Sequence, residues 1–240
     1  FGHTKILVDA GISTRRIEKG LAEVGVKAGD LDGVLITHEH TDHIKGLDVL
    51  IRRYEIPVYA RSKTWGMIKC RDKFSPCCRV EMPESFDIGG VKVEPFSTPH
   101  DAVDPVGFCF YYQQGKYVLA TDLGIVTPSV AEALTLADVA VMESNHDLEM
   151  LIMGPYPGFL KQRIRGNNGH LSNHDAGKVL ASIPRKKGMQ VFLAHLSQQN
   201  NLPMLAEKTV ADILLQSNCA VGEEVILHRT YPNRRASFSG

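Results

Sequence analysis

The sequence predicts a layered α/β fold built as a single domain over residues 1–240. Short runs rich in β-branched residues alternate along the chain with segments whose apolar residues recur every three or four positions, which are the patterns of strands and of helices. Several strand patterns end in a histidine or an aspartate. The sequence contains no internal repeat, low-complexity tract or clear linker, so one domain is the better interpretation.

The elements follow in order from apolar spacing and from residues that begin or end helices and strands. The strand patterns lie at 5–9, 33–36, 57–60, 91–96, 106–112, 116–121, 139–142, 190–194 and 225–228. The helix patterns lie at 14–24, 44–51, 63–71, 130–137, 156–165, 172–183 and 203–216. Residues 74–83 show neither period and are expected to be irregular.

Turn and cap residues support several of these boundaries. Ser13 or Thr14 can cap the first helix, and Gly25 can end it. The strands at 106–112 and 116–121 read as a β-hairpin, joined by Gln113, Gln114 and Gly115.

Four potential metal ligands follow the buried strand at 33–36 within six positions: His38, His40, Asp42 and His43. The spacing H-x-H-x-D-H can direct two imidazoles at one metal and a carboxylate with the third imidazole at another. Neutral imidazole and carboxylate suit Zn²⁺, Mn²⁺ or Fe²⁺ better than Ca²⁺ or Mg²⁺. A polar loop that is rich in histidine by chance is the alternative, but so many ligand types directly after a strand favour a metal site.

Three more ligand-type residues, His100, Asp122 and His195, lie at the ends of later strand patterns. In α/β folds, sites gather at one edge of the sheet, where the strand ends converge. We therefore expect these residues to complete two metal sites with the ligands at positions 38–43.

Composition limits the compartment and the class of protein. No apolar run is long enough to span a bilayer, and no secretory leader is visible, although the chain opens at Phe1 without a methionine. The 5 cysteines are odd in number and scattered, which predicts reduced thiols and a cytoplasmic protein. A second metal cluster at Cys70, Cys77 and Cys78 is the alternative, but no histidine or C-x-x-C spacing accompanies it.

The formal net charge is 0, so there is no overall basic signature for nucleic acid. Two local stretches are basic: residues 61–79 contain 6 Lys or Arg against Asp72, and residues 158–187 contain 7 against Asp175. Such stretches are either solvated faces or surfaces for a polyanion.

The ligand series H-x-H-x-D-H, His100, Asp122 and His195 resembles that of the metallo-β-lactamase fold, in the same order and over nearly the whole chain. The resemblance implies an αββα four-layer sandwich that binds two divalent metal ions. It implies that metal 1 is held by His38, His40 and His100, that metal 2 is held by Asp42, His43 and His195, and that Asp122 bridges them. Aspartate at the bridging position resembles the phosphodiesterase and glyoxalase branches of the family.

Finer motifs resemble the bacterial YycJ/WalJ (VicX) metallo-hydrolases, which are nucleases related to tRNase Z with 5′-to-3′ exonuclease activity on DNA. The motifs occupy residues 143–147, 154–157, 169–173 and 200–203. The family normally begins with a further strand and a Ser-Gly-Ser-Ser-Gly-Asn loop, which this sequence lacks before Phe1. The N-terminal strand of the fold is therefore expected to be missing.

The resemblance to tRNase Z also implies a general acid for the leaving oxygen, formed by His170 with Glu143. Asp42 would both bind metal 2 and orient the attacking hydroxide. His170 alternatively only precedes a helix cap, and Glu143 alternatively orients a metal-bound histidine. Asn200 and Asn201 are expected to fix the loop after His195, with phosphate contact as the other option.

The leading hypothesis is a dinuclear phosphodiesterase that acts on nucleic acid, most readily a DNA exonuclease. A small-molecule hydrolase, either a cyclic phosphodiesterase or a glyoxalase II-like thioesterase, is the rival enzyme. A metal-stabilised regulatory module is the non-enzymatic alternative, but a structural zinc needs four closed ligands and no second ion.

Overall fold

The computed structural model describes residues 1–239. The chain forms two compact units. The first unit comprises Phe1–Pro95 with Ala102–Val106, and the second comprises Phe96–Asp101 with the chain from Gly107 onward. Both units contain strands and helices, so the predicted α/β class is confirmed. The interpretation as one domain stays a prediction.

The first unit contains a four-stranded parallel sheet, whose strands lie side by side in chain order. These strands are β1 (Ile6–Val8), β2 (Gly33–Leu35), β3 (Val58–Ala60) and β4 (Arg79–Glu81). Four helices accompany them: α1 (Thr14–Ala22), α2 (Thr41–Ile44), α3 (Leu47–Tyr54) and α4 (Ser62–Met67). An antiparallel hairpin follows, formed by β5 (Phe86–Ile88) and β6 (Val91–Ser97), whose last two residues belong to the second unit.

The core of the first unit buries β2 completely and one face of α3. Helical spacing places three apolar residues on this face, and each of them is at most 1% exposed: Leu47, Leu50 and Ile51. Val34 and Val58 of the sheet belong to the same apolar cluster. This packing holds the end of β2 against a rigid base. It therefore also holds the turn that follows β2, residues 38–43, which we call the ligand turn.

The second unit contains five strands in the order β11, β10, β9, β8, β7. They are β7 (Val106–Tyr112), β8 (Gly115–Ala120), β9 (Val139–Glu143), β10 (Met189–Ala194) and β11 (Val225–Arg229). The first two form the predicted hairpin, with a turn of Gln113 and Gln114, and the remaining pairs are parallel. Five helices complete the unit: α5 (Pro128–Leu134), α6 (Leu148–Met153), α7 (Gly158–Arg165), α8 (Asn173–Ser182) and α9 (Pro203–Gln216).

The parallel strands of the second unit explain why the polar residues at their carboxyl ends lie close together. The apolar cluster includes Val118, Ala140, Met142 and Leu193, from the three central strands β8, β9 and β10. These strands run in the same direction, so their carboxyl ends meet at one edge of the sheet.

Several element boundaries differ from the sequence prediction. The helix expected at 44–51 is two helices, because Gly46 donates its N–H to the Ala10 carbonyl (2.7 Å) at the break. Residues 74–83 are not wholly irregular, since β4 lies within them. The helix expected at 156–165 begins at Gly158, and α6 before it was not predicted.

Within residues 1–239, every helix is too short or too polar to cross a bilayer. All 5 cysteines are free thiols, as predicted.

Candidate metal centre

The ligand turn of the first unit brings three imidazoles together after β2. The ring centroid of His38 lies 4.6 Å from that of His40 and 4.0 Å from that of His43. His38 is fully buried and His43 nearly so, whereas Asp42, on α2, is exposed. The Oδ2 atom of Asp42 lies 3.8 Å from Nε2 of His43. The predicted ligands at positions 38–43 are therefore neighbours in space as well as in sequence.

Asp9, immediately after β1, orients this turn. Its Oδ1 accepts the backbone N–H of Thr37 (2.8 Å), and its Oδ2 accepts the hydroxyl of Thr37 (2.8 Å). The same Oδ2 lies 2.7 Å from Nδ1 of His43. Because the carboxylate of Asp9 accepts a hydrogen bond from this nitrogen, Nε2 is the atom through which His43 would bind a metal.

The loop around Asp9 approaches the ligand turn very closely. Ala10 donates its N–H to the carbonyl of His43 (2.7 Å). A Cβ atom added to Gly11 would overlap the Asp42 carbonyl, so only glycine fits there without a shift of the backbone. Asp9 was not predicted as a site residue, and the available signal was its position directly after a strand, like that of the other ligands.

The second unit also contains a carboxylate that orients histidine side chains. Glu143, the last residue of β9, is fully buried, and its Oε1 lies 2.8 Å from Nδ1 of both His170 and His195. Its Oε2 accepts the backbone N–H groups of Leu123 (2.8 Å) and Leu171 (3.3 Å). One side chain therefore positions two histidines that lie far apart in sequence.

The surroundings of Glu143 determine its charge. Burial alone raises the pKa of Glu143, but the hydrogen bonds from His170 and His195 outweigh burial, so that the pKa is lowered to about 2. The carboxyl group is therefore ionised at neutral pH, as an acceptor of four hydrogen bonds must be.

His100 and Asp122 lie near these histidines in the same unit. His100 directs Nδ1 at the carbonyl of Gly169 (3.2 Å), and its Nε2 lies 3.8 Å from Oδ1 of Asp122. The same Oδ1 lies 3.4 Å from Nδ1 of His195. Burial lowers the pKa of His100, although the charge of Asp122 opposes the shift. A neutral imidazole is the form that binds a metal.

Three of these residues have a left-handed backbone that side chains rarely adopt. The φ angles of Asp9, Asp122 and His195 are 58°, 58° and 55°. Each residue follows a strand, so the backbone turns sharply where the strand ends. Such conformations persist only where the surrounding structure enforces them, and they concentrate at functional sites.

Buried amides hold the loops that carry the second set of side chains. Asn145 donates Nδ2 to the carbonyl of His195 (2.8 Å). Asn201 donates Nδ2 to the carbonyls of Ser144 (2.8 Å) and Asn145 (3.0 Å). Asn201 is 3% exposed, and its hydrogen bonds tie the loop that follows His195 to residues 144 and 145.

The structure therefore places the candidate residues in two sets, one in each unit. His38, His40, Asp42 and His43 belong to the first unit. His100, Asp122, Glu143, His170 and His195 belong to the second, and four of them can place ligand atoms within 4.8 Å of one another: Asp122, Glu143, His170 and His195. Imidazole nitrogens oriented by carboxylates and carbonyls, beside further carboxylates, form a donor set that fits Zn²⁺, Mn²⁺ or Fe²⁺.

The sequence of this chain matches a protein-family model and is similar to known proteins. Residues 4–196 match the model of the β-lactamase superfamily domain. The chain is 39% identical over 235 residues to exodeoxyribonuclease YycJ of Bacillus anthracis, covering 95% of this chain and 88% of the relative. It is 38% identical over 238 residues to exodeoxyribonuclease WalJ of Streptococcus pneumoniae serotype 2, covering 95% of this chain and 87% of the relative.

Solved structures share the fold at low sequence identity. The metallo-β-lactamase fold protein YhfI from Bacillus subtilis superposes with a TM-score of 0.69 at 18% identity, over 95% of this chain and 86% of that one. Zinc-bound PqqB from Methylobacterium extorquens gives a TM-score of 0.70 at 18% identity, over 95% and 82%. The predicted fold family is therefore confirmed.

Asp9 offers a direct test of how the ligand turn is oriented. Asp9→Asn weakens the acceptor for His43 Nδ1, so we expect Zn²⁺ affinity to fall about 10- to 100-fold. Asp32→Asn is the matched control, because Asp32 Oδ2 accepts the N–H of Lys5 (2.7 Å) before the start of β1. Isothermal titration with Zn²⁺ measures both variants, and equal affinities in the two would contradict the orienting role.

Proposed function

This chain belongs to the β-lactamase superfamily, and on that premise we propose that it is a dinuclear metal-dependent phosphodiesterase, a 5′-to-3′ exonuclease of DNA. The observation that carries the proposal is its 39% identity to an exodeoxyribonuclease over 95% of its length. Membership of the superfamily makes it a metal-dependent hydrolase. The substrate and the polarity of cleavage are proposals.

We propose two divalent metal ions, Zn²⁺ or Mn²⁺, with Fe²⁺ as a further candidate. The ligands of metal 1 would be His38, His40 and His100, those of metal 2 would be Asp42, His43 and His195, and Asp122 would bridge. Three of these histidines direct Nδ1 at an acceptor within their own unit: His43 at Asp9, His100 at Gly169 and His195 at Glu143. This arrangement supports the proposal, since it leaves each Nε2 available for a metal.

When bound, two such ions supply a hydroxide at neutral pH and stabilise the charge on the reacting phosphate. Asp42 is exposed, and we propose that it orients the attacking water as well as binding metal. Glu143 fixes Nδ1 of His170, so Nε2 of His170 is the atom that can donate a proton to the leaving oxygen. The two interpretations of Glu143, an acid partner and a carboxylate that orients a ligand, are compatible, because it contacts both His170 and His195.

Not every basic residue of the two basic stretches supports a polyanionic substrate, because some of them stabilise helix ends. Arg71 donates to the carbonyls of Trp65 (3.1 Å) and Ile68 (3.5 Å), and so completes the end of α4. Arg185 likewise donates to the carbonyls of Ala181 (3.0 Å) and Ile183 (3.1 Å). These two arginines stabilise helix ends, and the phosphate contacts must come from other residues of the stretches.

The free thiols accord with a reducing compartment, and we propose a cytoplasmic location. DNA is the partner that the proposal requires, as substrate.

Metal content tests the dinuclear centre. Protein purified without chelator should contain about two equivalents of metal by elemental analysis. Asp122→Ala removes the proposed bridge, so the content should fall towards one equivalent and hydrolysis of DNA should be lost. A content of one equivalent in both proteins would remove the bridging role.

The general acid is tested with two leaving groups. A sugar oxygen leaves poorly without a proton, so His170→Ala should slow DNA cleavage by about 10²–10⁴. Nitrophenolate departs readily without one, so hydrolysis of bis(4-nitrophenyl) phosphate should change far less, with metal content retained. His174→Ala is the matched control, since His174 is a half-exposed histidine on α8.

Steady-state rates on both substrates distinguish the alternatives. If His170 only precedes a helix cap, His170→Ala should lower both rates by the same modest factor and reduce thermal stability. That result would retire the acid role.

A further inference from the structure

We propose that the cavity beside His170 and His195 binds the nucleoside at the 5′ end of the strand, the one that departs, and that Tyr156 is the platform for its base. The inference rests on the proposed function, and it identifies which part of the substrate this cavity receives. Tyr156 would then be a specificity residue for the strand end rather than a participant in proton transfer.

The cavity has the size and position for one nucleoside. Its volume is about 570 Å³, within the range of about 300–1,000 Å³ that small-ligand sites occupy. All the residues that line it belong to the second unit. They include both histidines that Glu143 positions, so the cavity opens directly beside the proposed proton donor.

The lining combines one aromatic side chain and several aliphatic ones with polar groups. Leu160, Arg163 and Ile164 line the cavity from α7, at the spacing that shares one helix face, and Tyr156 lies just before that helix. Gln198 adds an amide group to the lining. An aromatic ring beside aliphatic groups binds any base through its π face, because every base has one. An exonuclease that removes successive nucleotides requires such tolerance of sequence.

The apolar side of the cavity is fixed relative to His170. The backbone N–H of His170 donates to the carbonyl of Ile164 (2.8 Å), which joins this residue to the end of α7. Lys161 donates Nζ to the carbonyl of Ile152 (2.6 Å), and Arg163 donates Nε to Asp101 (2.7 Å). The face of α7 that lines the cavity is therefore tied to the segment that carries the proposed proton donor.

The chemistry indicates which nucleoside enters. Hydrolysis forms a bond between the water oxygen and phosphorus, with one water proton released to solvent, and breaks the bond from phosphorus to the 3′ oxygen of the terminal nucleoside. The proton on His170 Nε2 passes to that 3′ oxygen, and the new 5′ phosphate stays on the remaining strand. The departing nucleoside therefore lies on the His170 side, where this cavity is.

The test compares two single-stranded DNAs that differ only in the 5′-terminal nucleotide, which is either normal or abasic. Stacking on an aromatic side chain should make kcat/KM of the wild-type enzyme roughly 5- to 150-fold higher for the normal end. Tyr156→Ala should bring this ratio close to one, and Tyr156→Phe should keep it. The matched control is Phe159→Ala, because Phe159 is 75% exposed and does not line the cavity; it should keep the wild-type ratio.

The ratio within each variant separates binding of the base from a general loss of structure, which would lower both rates together. A wild-type ratio near one, an unchanged ratio in Tyr156→Ala, or loss of the ratio in Phe159→Ala would each overturn the inference while leaving the proposed nuclease intact. A wild-type protein that cleaves neither DNA, but retains two metals, would instead overturn the proposed function and this inference with it.

Discussion

The buried carboxylate of Glu143 is the group on which the chemistry of the second unit depends. Placing an ionised carboxylate out of contact with water is costly unless hydrogen bonds compensate. Glu143 has four such bonds: two from the backbone N–H groups of Leu123 and Leu171, and two from His170 and His195. Loss of this carboxylate would leave buried donors unsatisfied and two imidazoles without orientation. The proposed acid and a proposed ligand are therefore positioned by the same atom.

Asp9 has the equivalent role in the first unit, where it accepts two hydrogen bonds from Thr37 and one from His43. In both units a carboxylate at the end of a strand fixes the tautomer of a histidine on another segment. A metal-binding imidazole needs this support, because without a hydrogen bond from its second nitrogen the ring can rotate. The two carboxylates explain how short loops hold these histidines in defined orientations.

The proximity of the candidate ligands in the first unit could be predicted because the information is local. Six consecutive positions after a buried strand contain all four residues, and the structure brings the rings of His38, His40 and His43 together. The double contact of Glu143 spans 27 residues to His170 and 52 residues to His195. No spacing in the sequence reveals such a pair, and here the resemblance to a family supplied only part of it.

Short elements and interrupted helices escaped prediction for a physical reason. The strand β4 has charged residues on both sides of Val80, so it lacks the apolar run that marks the equally short β1, β2 and β3. The break between α2 and α3 depends on the hydrogen bond from Gly46 to Ala10, which lies far away in sequence. The role of each basic residue could not be predicted from charge counts, because such counts do not distinguish Arg71, which completes a helix end, from an arginine that contacts solvent or phosphate.

The most direct test of the whole account is strand polarity. The purified protein is incubated in Mn²⁺ or Zn²⁺ with linear DNA labelled at the 5′ end or the 3′ end, with circular DNA, and with RNA of the same sequence. We expect the 5′ label to appear at once as mononucleotide, the 3′ label to remain on shortening strands, and circular DNA to resist cleavage. Rapid cleavage of circular DNA, or hydrolysis of cyclic nucleotides or thioesters with linear DNA left intact, would contradict the account.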